Sequence, residues 1–213
     1  MTNVHQLTFG PFGENTYIIA DDELNAFIID PGMYYPEENT QFFDYINAHG
    51  LKPVRLLLTH AHLDHVFGVN WVNQTYKLVP ELHVDDLPVY NAAESVALNY
   101  GLRMSKLISA KTTLKHDEGF TFGGSSFTMI LTPGHSPGSI CFYNNDEGYV
   151  ISGDVLFQGS IGRTDLPGGS YDVLMNSIHQ HMLTLEDSVM VYSGHGPMTT
   201  IGQERRMNPF LQA

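Results

Sequence analysis

The sequence predicts an α+β sandwich, sheet layers covered by helices, formed as a single domain over residues 1–213. Three observations lead to it. Short stretches of β-branched, aromatic and leucine residues recur along the whole chain, each closed by Gly, Pro, Asn or Asp, as strands joined by turns are. These hairpin-rich strands alternate irregularly with segments of helical periodicity, the order expected when helices cover sheets in an α/β or α+β sandwich. No low-complexity segment or linker divides the chain, which favours one domain.

In chain order, strands are expected at residues 4–9, 16–20, 25–29 and 54–58, then at 120–122, 127–131, 139–143, 149–152 and 189–192. Each is rich in Val, Ile, Phe, Tyr or Leu and is bounded by turn formers. Helices are expected at 37–49, 64–74 and 171–185, where apolar residues follow helical spacing. A further helix over 89–106 carries apolar residues on more than one face. The stretch 90–111 is longer than a connection between strands needs, so it is expected to form a helical lid that brings Tyr100, Leu102 or Met104 to a substrate.

Acidic residues outnumber basic ones 23 to 10, a net charge of −13. Phosphate backbones are held chiefly through Lys and Arg, so a nucleic-acid partner is not expected. No apolar run approaches the ~18 residues of a membrane helix. The start, MTNVHQLTFG, has neither the basic segment nor the apolar core of a signal peptide. No membrane partner is expected, and the cytoplasm is the expected compartment. One cysteine, Cys141, excludes an intrachain disulfide and any cysteine-built zinc or iron–sulfur site. The outlier is histidine: 11 residues, more than Lys and Arg together.

An apolar strand, Leu56-Leu57-Leu58, runs into Thr59-His60-Ala61-His62-Leu63-Asp64-His65. Residues two apart on extended backbone project to one face, so His60 and His62 can grip one ion. Asp64 and His65 fall where the chain turns into a helix and can swing toward a second ion beside the first. Imidazole nitrogen and carboxylate oxygen both suit zinc and similar divalent metals. Three further candidates close apolar strands and enter Gly/Pro turns, where backbone can approach a site closely. They are His135 in Thr132-Pro133-Gly134-His135-Ser136-Pro137-Gly138, Asp154 in Ser152-Gly153-Asp154, and His195 in Ser193-Gly194-His195-Gly196-Pro197. Alone, each reads as a turn histidine or a capping aspartate. Together the set holds five His and two Asp, the ligand count for two metals with positions left open for water and substrate. The other histidines, His5, His49, His83, His116, His179 and His181, have no comparable company and read as surface or capping imidazoles.

These residues resemble the metallo-β-lactamase superfamily of dinuclear metallohydrolases. The resemblance runs from Phe27-Ile28-Ile29-Asp30-Pro31-Gly32 through the histidine motif, His135, Asp154 and His195 to Gln203-Glu204-Arg205-Arg206-Met207-Asn208-Pro209-Phe210. It implies an αβ/βα four-layer sandwich with its metals in a groove at one edge of two sheets. It also implies two divalent metal ions, zinc or else iron or manganese. The first would take His60, His62 and His135, the second Asp64, His65 and His195, with Asp154 bridging both. Some lactam-hydrolysing relatives have cysteine at position 154; an aspartate there is similar to the thioesterase, lactonase and phosphodiesterase branches. The loop Gly159-Ser160-Ile161-Gly162-Arg163-Thr164-Asp165 looks like that of glyoxalase II-like enzymes and persulfide dioxygenases. The nearest resemblance is to short, single-domain glyoxalase II-like hydrolases. Full-length glyoxalase II adds a C-terminal helical domain that helps hold glutathione, where only a short tail follows Gly196-Pro197 here.

The function so implied is hydrolysis of an S-2-hydroxyacyl thioester such as S-lactoylglutathione to hydroxy acid and thiol. Metals bring the pKa of bound water from about 15.7 toward ~7 and stabilise the tetrahedral oxyanion. A thiolate leaves readily, since its thiol has a pKa of ~8.5. Asp64 and Asp154 are the expected catalytic carboxylates. Arg163 is expected to contact carboxylates of the substrate, and Asp30 to hold a ligand histidine by its free ring nitrogen. The alternatives are a lactonase of the same superfamily and a persulfide dioxygenase, whose relatives hold one iron at the positions of His60, His135 and Asp154. The expected partner is a small-molecule thioester or related acyl substrate, met by a monomer or small homo-oligomer.

Overall fold

The computed structural model describes residues 1–212; Ala213, the last residue of the expected domain, lies outside them. Two six-stranded sheets carry the fold. The first takes β1 (Thr2–Phe9), β2 (Glu14–Asp21), β3 (Asn25–Ile29), β4 (Lys52–Leu57), β5 (Pro80–His83) and β6 (Lys111–Leu114) in that order. β1 to β3 form an antiparallel meander, and β3 to β6 run parallel. Parallel neighbours need crossovers, and the helices supply them. α1 (Pro36–Ala48) joins β3 to β4, α2 (Leu63–Val66) and α3 (Val69–Tyr76) join β4 to β5, and α4 (Leu87–Asn99) joins β5 to β6.

The second sheet contains β7 (Gly119–Phe122), β8 (Ser125–Leu131), β9 (Ile140–Asn144) and β10 (Tyr149–Gly153). A small hairpin, β11 (Leu156–Phe157) with β12 (Ser160–Ile161), leaves the end of β10. α5 (Tyr171–Ser177) crosses to β13 (Met190–Ser193), which lies parallel to β10; β14 (Thr199–Thr200) and α6 (Ile201–Met207) follow.

Alternation along the strands sorts these elements into four layers. In β2, Tyr17 and Ile19 face the second sheet, packing with Phe127, Ile140 and Phe142. Ile18 and Ala20 face the opposite way, into a cluster with Phe42 of α1, Val69 of α3 and Tyr90 of α4. On the far side of the second sheet, Cys141, Val150 and Val191 pack under Leu174 of α5 and Ile201 of α6. The order is helix, sheet, sheet, helix: the αβ/βα sandwich. Strands buried on both faces read as continuous apolar runs, which is why Tyr17-Ile18-Ile19-Ala20 shows no polar alternation.

Four expectations need correction. The helix expected over 64–74 breaks at Gly68, whose N–H donates to the Pro31 carbonyl (2.7 Å) and so is lost to the helix ladder. The helix expected over 171–185 is α-helical through Ser177 and then widens into a π-turn over Ile178–Met182. The helix expected over 89–106 ends at Asn99, and residues 100–110 are irregular. Met104, Leu107 and Ile108 pack against the helix side of the first sheet, so the expected lid is confined to α4 and Tyr100. β5 and β6, four residues each, were not expected; β6 (Lys-Thr-Thr-Leu) is an edge strand with one buried residue. Among the described residues no helix is long and apolar enough to cross a membrane.

Candidate metal centre

The ends of β4, β10 and β13 and the β8–β9 loop meet at one rim of the two sheets, and the candidate residues sit on them. β4 passes through Leu58 and Thr59 to His60 and His62, which lie just ahead of α2. His60 Nε2 is 3.2 Å from His135 Nε2, and His62 Nδ1 is 2.8 Å from the same atom. Three imidazole nitrogens thus converge on one point. His135 Nδ1–H donates to the carbonyl of Arg163 (2.7 Å), so its inward Nε2 carries the lone pair. Burial, together with the neighbouring imidazoles, holds His60 well below its ordinary pKa and His62 down to about 3. Both are neutral donors at pH 7.

Asp64, His65 and His195 form a second group. His195 Nε2 lies 3.1 Å from Asp64 Oδ2, and His65 Nε2 lies 4.0 Å from it. Asp154 stands between the groups. Its Oδ1 is 3.5 Å from His65 Nε2, and its Oδ2 is 3.5 Å from His135 and 3.6 Å from His195. Burial pushes the Asp64 and Asp154 carboxyls up, but the adjoining histidines outweigh it and leave both below the usual range. For His65 and His195 burial pulls the other way and loses to the same carboxylates, so both rings are raised. The centre is a pair of ionised carboxylates ringed by imidazoles, and a divalent cation would take over that pairing by displacing the ring protons.

Two glycines shape this rim. Gly153 takes φ +51° and turns the end of β10 toward Asp154, with Thr59 packed where a side chain would stand. Gly194 lies against Asp154 and His65, and any Cβ there would collide with the carboxylate.

Asp30 organises the centre from behind. Its carboxylate accepts from Thr59 N–H (2.7 Å), from the Thr59 hydroxyl (2.5 Å) and from His65 Nδ1–H (3.0 Å). The Thr59 hydroxyl spends its hydrogen on Asp30, so at 3.1 Å from His60 Nδ1 it can only accept. One carboxylate therefore sets the tautomer of a histidine in each group, leaving both Nε2 atoms free to face inward. Asp30 is held at φ +50°, a conformation aspartate tolerates better than most residues. Its three accepted bonds assign it to orientation, although it also lies within reach of His60 and His65 as a metal-binding group.

Two buried residues escaped the sequence reading. Asp86 accepts from Ala61 N–H (2.6 Å), Gly138 N–H (2.7 Å) and the Ser136 hydroxyl, tying the His60–His62 segment to the His135 turn. Its partners are 25, 52 and 50 positions away, so nothing local marks it. Glu14, fully buried at the start of β2, accepts from the Thr16 hydroxyl (2.9 Å) and lies 3.8 Å from His65 Nδ1. Burial raises its carboxyl well above the usual range. An acidic residue heading the strand that carries the apolar run Tyr17-Ile18-Ile19-Ala20 was the available signal.

Arg163 lies on the loop after β12 with its guanidinium paired to Asp165 (2.7 and 2.8 Å). Cys141 is buried and its thiol is pushed up to about 12, consistent with a packing role.

The donors suit divalent metals: imidazole nitrogens and ionised carboxylates, with no thiolate. Two buried atoms at the centre, His65 Nε2 and Asp154 Oδ1, have no hydrogen-bond partner. Buried polar atoms left so are rare and costly, and a cation bound by both would satisfy them.

Similarity to known proteins agrees with this geometry. The chain is 39% identical over 210 residues to the probable metallo-hydrolase YqgX of Bacillus subtilis, covering 97% of this chain and 96% of that one. It is 36% identical to the hydroxyacylglutathione hydrolase GloC of Haemophilus influenzae, covering 99% of each. Among solved structures, the BLEG-1 B3 metallo-beta-lactamase superposes with a TM-score of 0.90 at 38% identity over 99% of this chain and 100% of that one. TTHA1623 in a di-iron-bound form gives 0.88 at 39% identity over 97% of this chain and 100% of its own. The family model described as the metallo-beta-lactamase superfamily matches residues 9–195, a span that takes in every histidine and aspartate of the centre, and the chain belongs to that superfamily.

Proposed function

We propose that this metallohydrolase is a dinuclear thioesterase of the glyoxalase II type, cleaving an S-2-hydroxyacyl thioester such as S-lactoylglutathione to hydroxy acid and thiol. The observation that carries the reading is Asp154, one carboxylate reaching histidines of both groups. On this reading His60, His62 and His135 hold one ion, Asp64, His65 and His195 hold the other, and Asp154 serves both. When bound, the ions would supply charge that acidifies a water and polarises an acyl carbonyl.

The chain's own residues then have separate tasks. His60 and His62 stay neutral through burial and give lone pairs at neutral pH. Asp64 Oδ2 faces His195, which leaves Oδ1 as the acceptor to orient an attacking water. A thiolate leaves unaided near neutral pH, so the reaction needs no proton delivered to the leaving group. A resemblance to a hydroxyacylglutathione hydrolase by name supports the substrate class.

The test is metal quantification on purified protein with assays against S-lactoylglutathione, a simple lactone and glutathione persulfide. Two ions per chain and oxygen-independent thioester hydrolysis are expected. One iron per chain with oxygen uptake on the persulfide would replace this reading with a dioxygenase, and turnover of the lactone alone would replace it with a lactonase.

A further inference from the structure

A cavity of about 850 Å³ opens directly over the two groups and touches His62, Asp64, His135, Asp154 and His195. Away from those residues its walls are mostly apolar, with Asp85, Gln158 and Arg163 as the polar members. α4 supplies one wall, and this accounts for its second apolar face. Tyr90 and Ala97 are buried against the body of the protein, whereas Val89, Ala92 and Val96, spaced three and seven positions along one helix side, are half-exposed and line the cavity with Ala93. Phe157 and Leu166 stand among the other walls. At the mouth Phe12 and Tyr100 meet edge to face, ring centres 5.7 Å apart, with 41% and 45% of their surfaces exposed. An apolar site of this size fits a small organic ligand.

Charge in the cavity is one-sided. Among the described residues the only Lys or Arg on its walls is Arg163, whose Nε and one Nη already donate to Asp165. Asp85 adds a further carboxylate to the lining. A thiol carrier bearing two carboxylates would find a single cation, already shared with Asp165, and would lose water on entering.

We propose that this groove takes the thiol arm of the substrate and that it selects an uncharged, apolar arm, an alkyl or aryl chain, over a carboxylated peptide thiol such as glutathione. The inference rests on the thioesterase reading for the bond that is cleaved, and on the groove alone for the arm.

The test uses the wild-type holoenzyme with S-lactoyl esters of ethanethiol, butanethiol and hexanethiol beside S-lactoylglutathione. Each added methylene buried is expected to raise kcat/KM roughly threefold to fourfold, with the hexyl ester the best substrate. Val96→Asp is expected to flatten that dependence, and Val96→Leu to keep it. Binding is read separately by calorimetry, on metal-free and metal-loaded protein. The probes are 1-(hexylthio)propan-2-ol and S-(2-hydroxypropyl)glutathione, in which a methylene replaces the reacting carbonyl. The hexyl compound is expected to bind at least tenfold more tightly, with a negative heat-capacity change. Tighter binding or faster turnover of the glutathione compound overturns the proposal and leaves thioester hydrolysis standing. Binding of the hexyl compound that depends on Val96, with none of the four esters turned over, leaves the groove assignment standing and removes the thioesterase reading.

Discussion

Thr59 and Asp30 are joined twice, by the Thr59 N–H to Oδ1 at 2.7 Å and by its hydroxyl to Oδ2 at 2.5 Å. The pair locks the end of β4 and, through the same hydroxyl, the ring of His60. Thr59→Val keeps the shape and removes the hydroxyl, leaving His60 Nδ1–H unpaired and its tautomer free. Partners of this kind commonly contribute 10- to 100-fold to metal affinity. Competition with a chromogenic chelator should show a loss of about that size in one of two metal equivalents. Unchanged affinity would mean that packing alone orients His60.

Asp86 should matter for a different reason. Asp86→Ala strips acceptors from two buried N–H groups and one hydroxyl, each costing about 1–3 kcal/mol when left unpaired. A loss of several kcal/mol is expected in urea denaturation, together with weaker binding of the ion at His60, His62 and His135. Ser136→Ala removes one of the three bonds and should lose about 1 kcal/mol. Equal stability of Asp86→Ala and wild type would show that water replaces the carboxylate.

Legibility in the sequence followed distance along the chain. His60, His62, Asp64 and His65 stand within six residues, and Asp154 and His195 each follow a glycine at a strand end, so the motif was visible in one dimension. Asp86 was not, because its meaning lies in partners on two other loops. The break at Gly68 was hidden for the same reason: the carbonyl that takes its N–H belongs to Pro31, far upstream. β6 was missed because an edge strand needs little apolar character, and Lys111-Thr112-Thr113 offers none. In α4 the extra apolar face was legible, but not which residues reach the cavity; the fold puts Ala92, Val96 and Tyr100 there and leaves Leu102 and Met104 off its walls.

Acid sensitivity of the first sheet should be traceable to Glu81. In β5, its carboxylate takes two bonds from Arg55 of β4 (3.0 and 2.8 Å) and one from Thr113 of β6 (2.6 Å), strapping three strands. Burial pushes the carboxyl up, and the Arg55 and Thr113 bonds outweigh it, leaving it below its ordinary value. A carboxyl depressed in the folded state contributes stability that is complete above its unfolded pKa, ~4.3. That contribution is lost as pH falls through the lower, folded value. Glu81→Gln should therefore be less stable than wild type at pH 7, by about 1 kcal/mol for a partly exposed pair. The difference should shrink below about pH 4.3. Denaturation midpoints at pH 7 and pH 3.5, both with chelator present, measure it; a difference independent of pH would assign the cost to packing.

Removing metal should separate the site from the fold. The three apolar clusters are built from strands and helices, so none of them needs an ion to form. Treatment with a chelator should abolish hydrolysis and leave the far-ultraviolet circular dichroism unchanged. A ligand present at a hundred times its Kd stabilises by about 2.7 kcal/mol, and a chain of this length shifts by roughly 2–4 °C per kcal/mol. The midpoint should therefore fall by roughly 5–10 °C. Single substitutions sharpen the point, because Asp154 reaches both groups whereas His60 belongs to one. Asp154→Ala should lower both metal equivalents together, and His60→Ala one before the other, each with loss of turnover. A folded Asp154→Ala protein that kept two ions and full turnover would remove that carboxylate from the bridging position and, with it, the reason to treat the two groups as one centre.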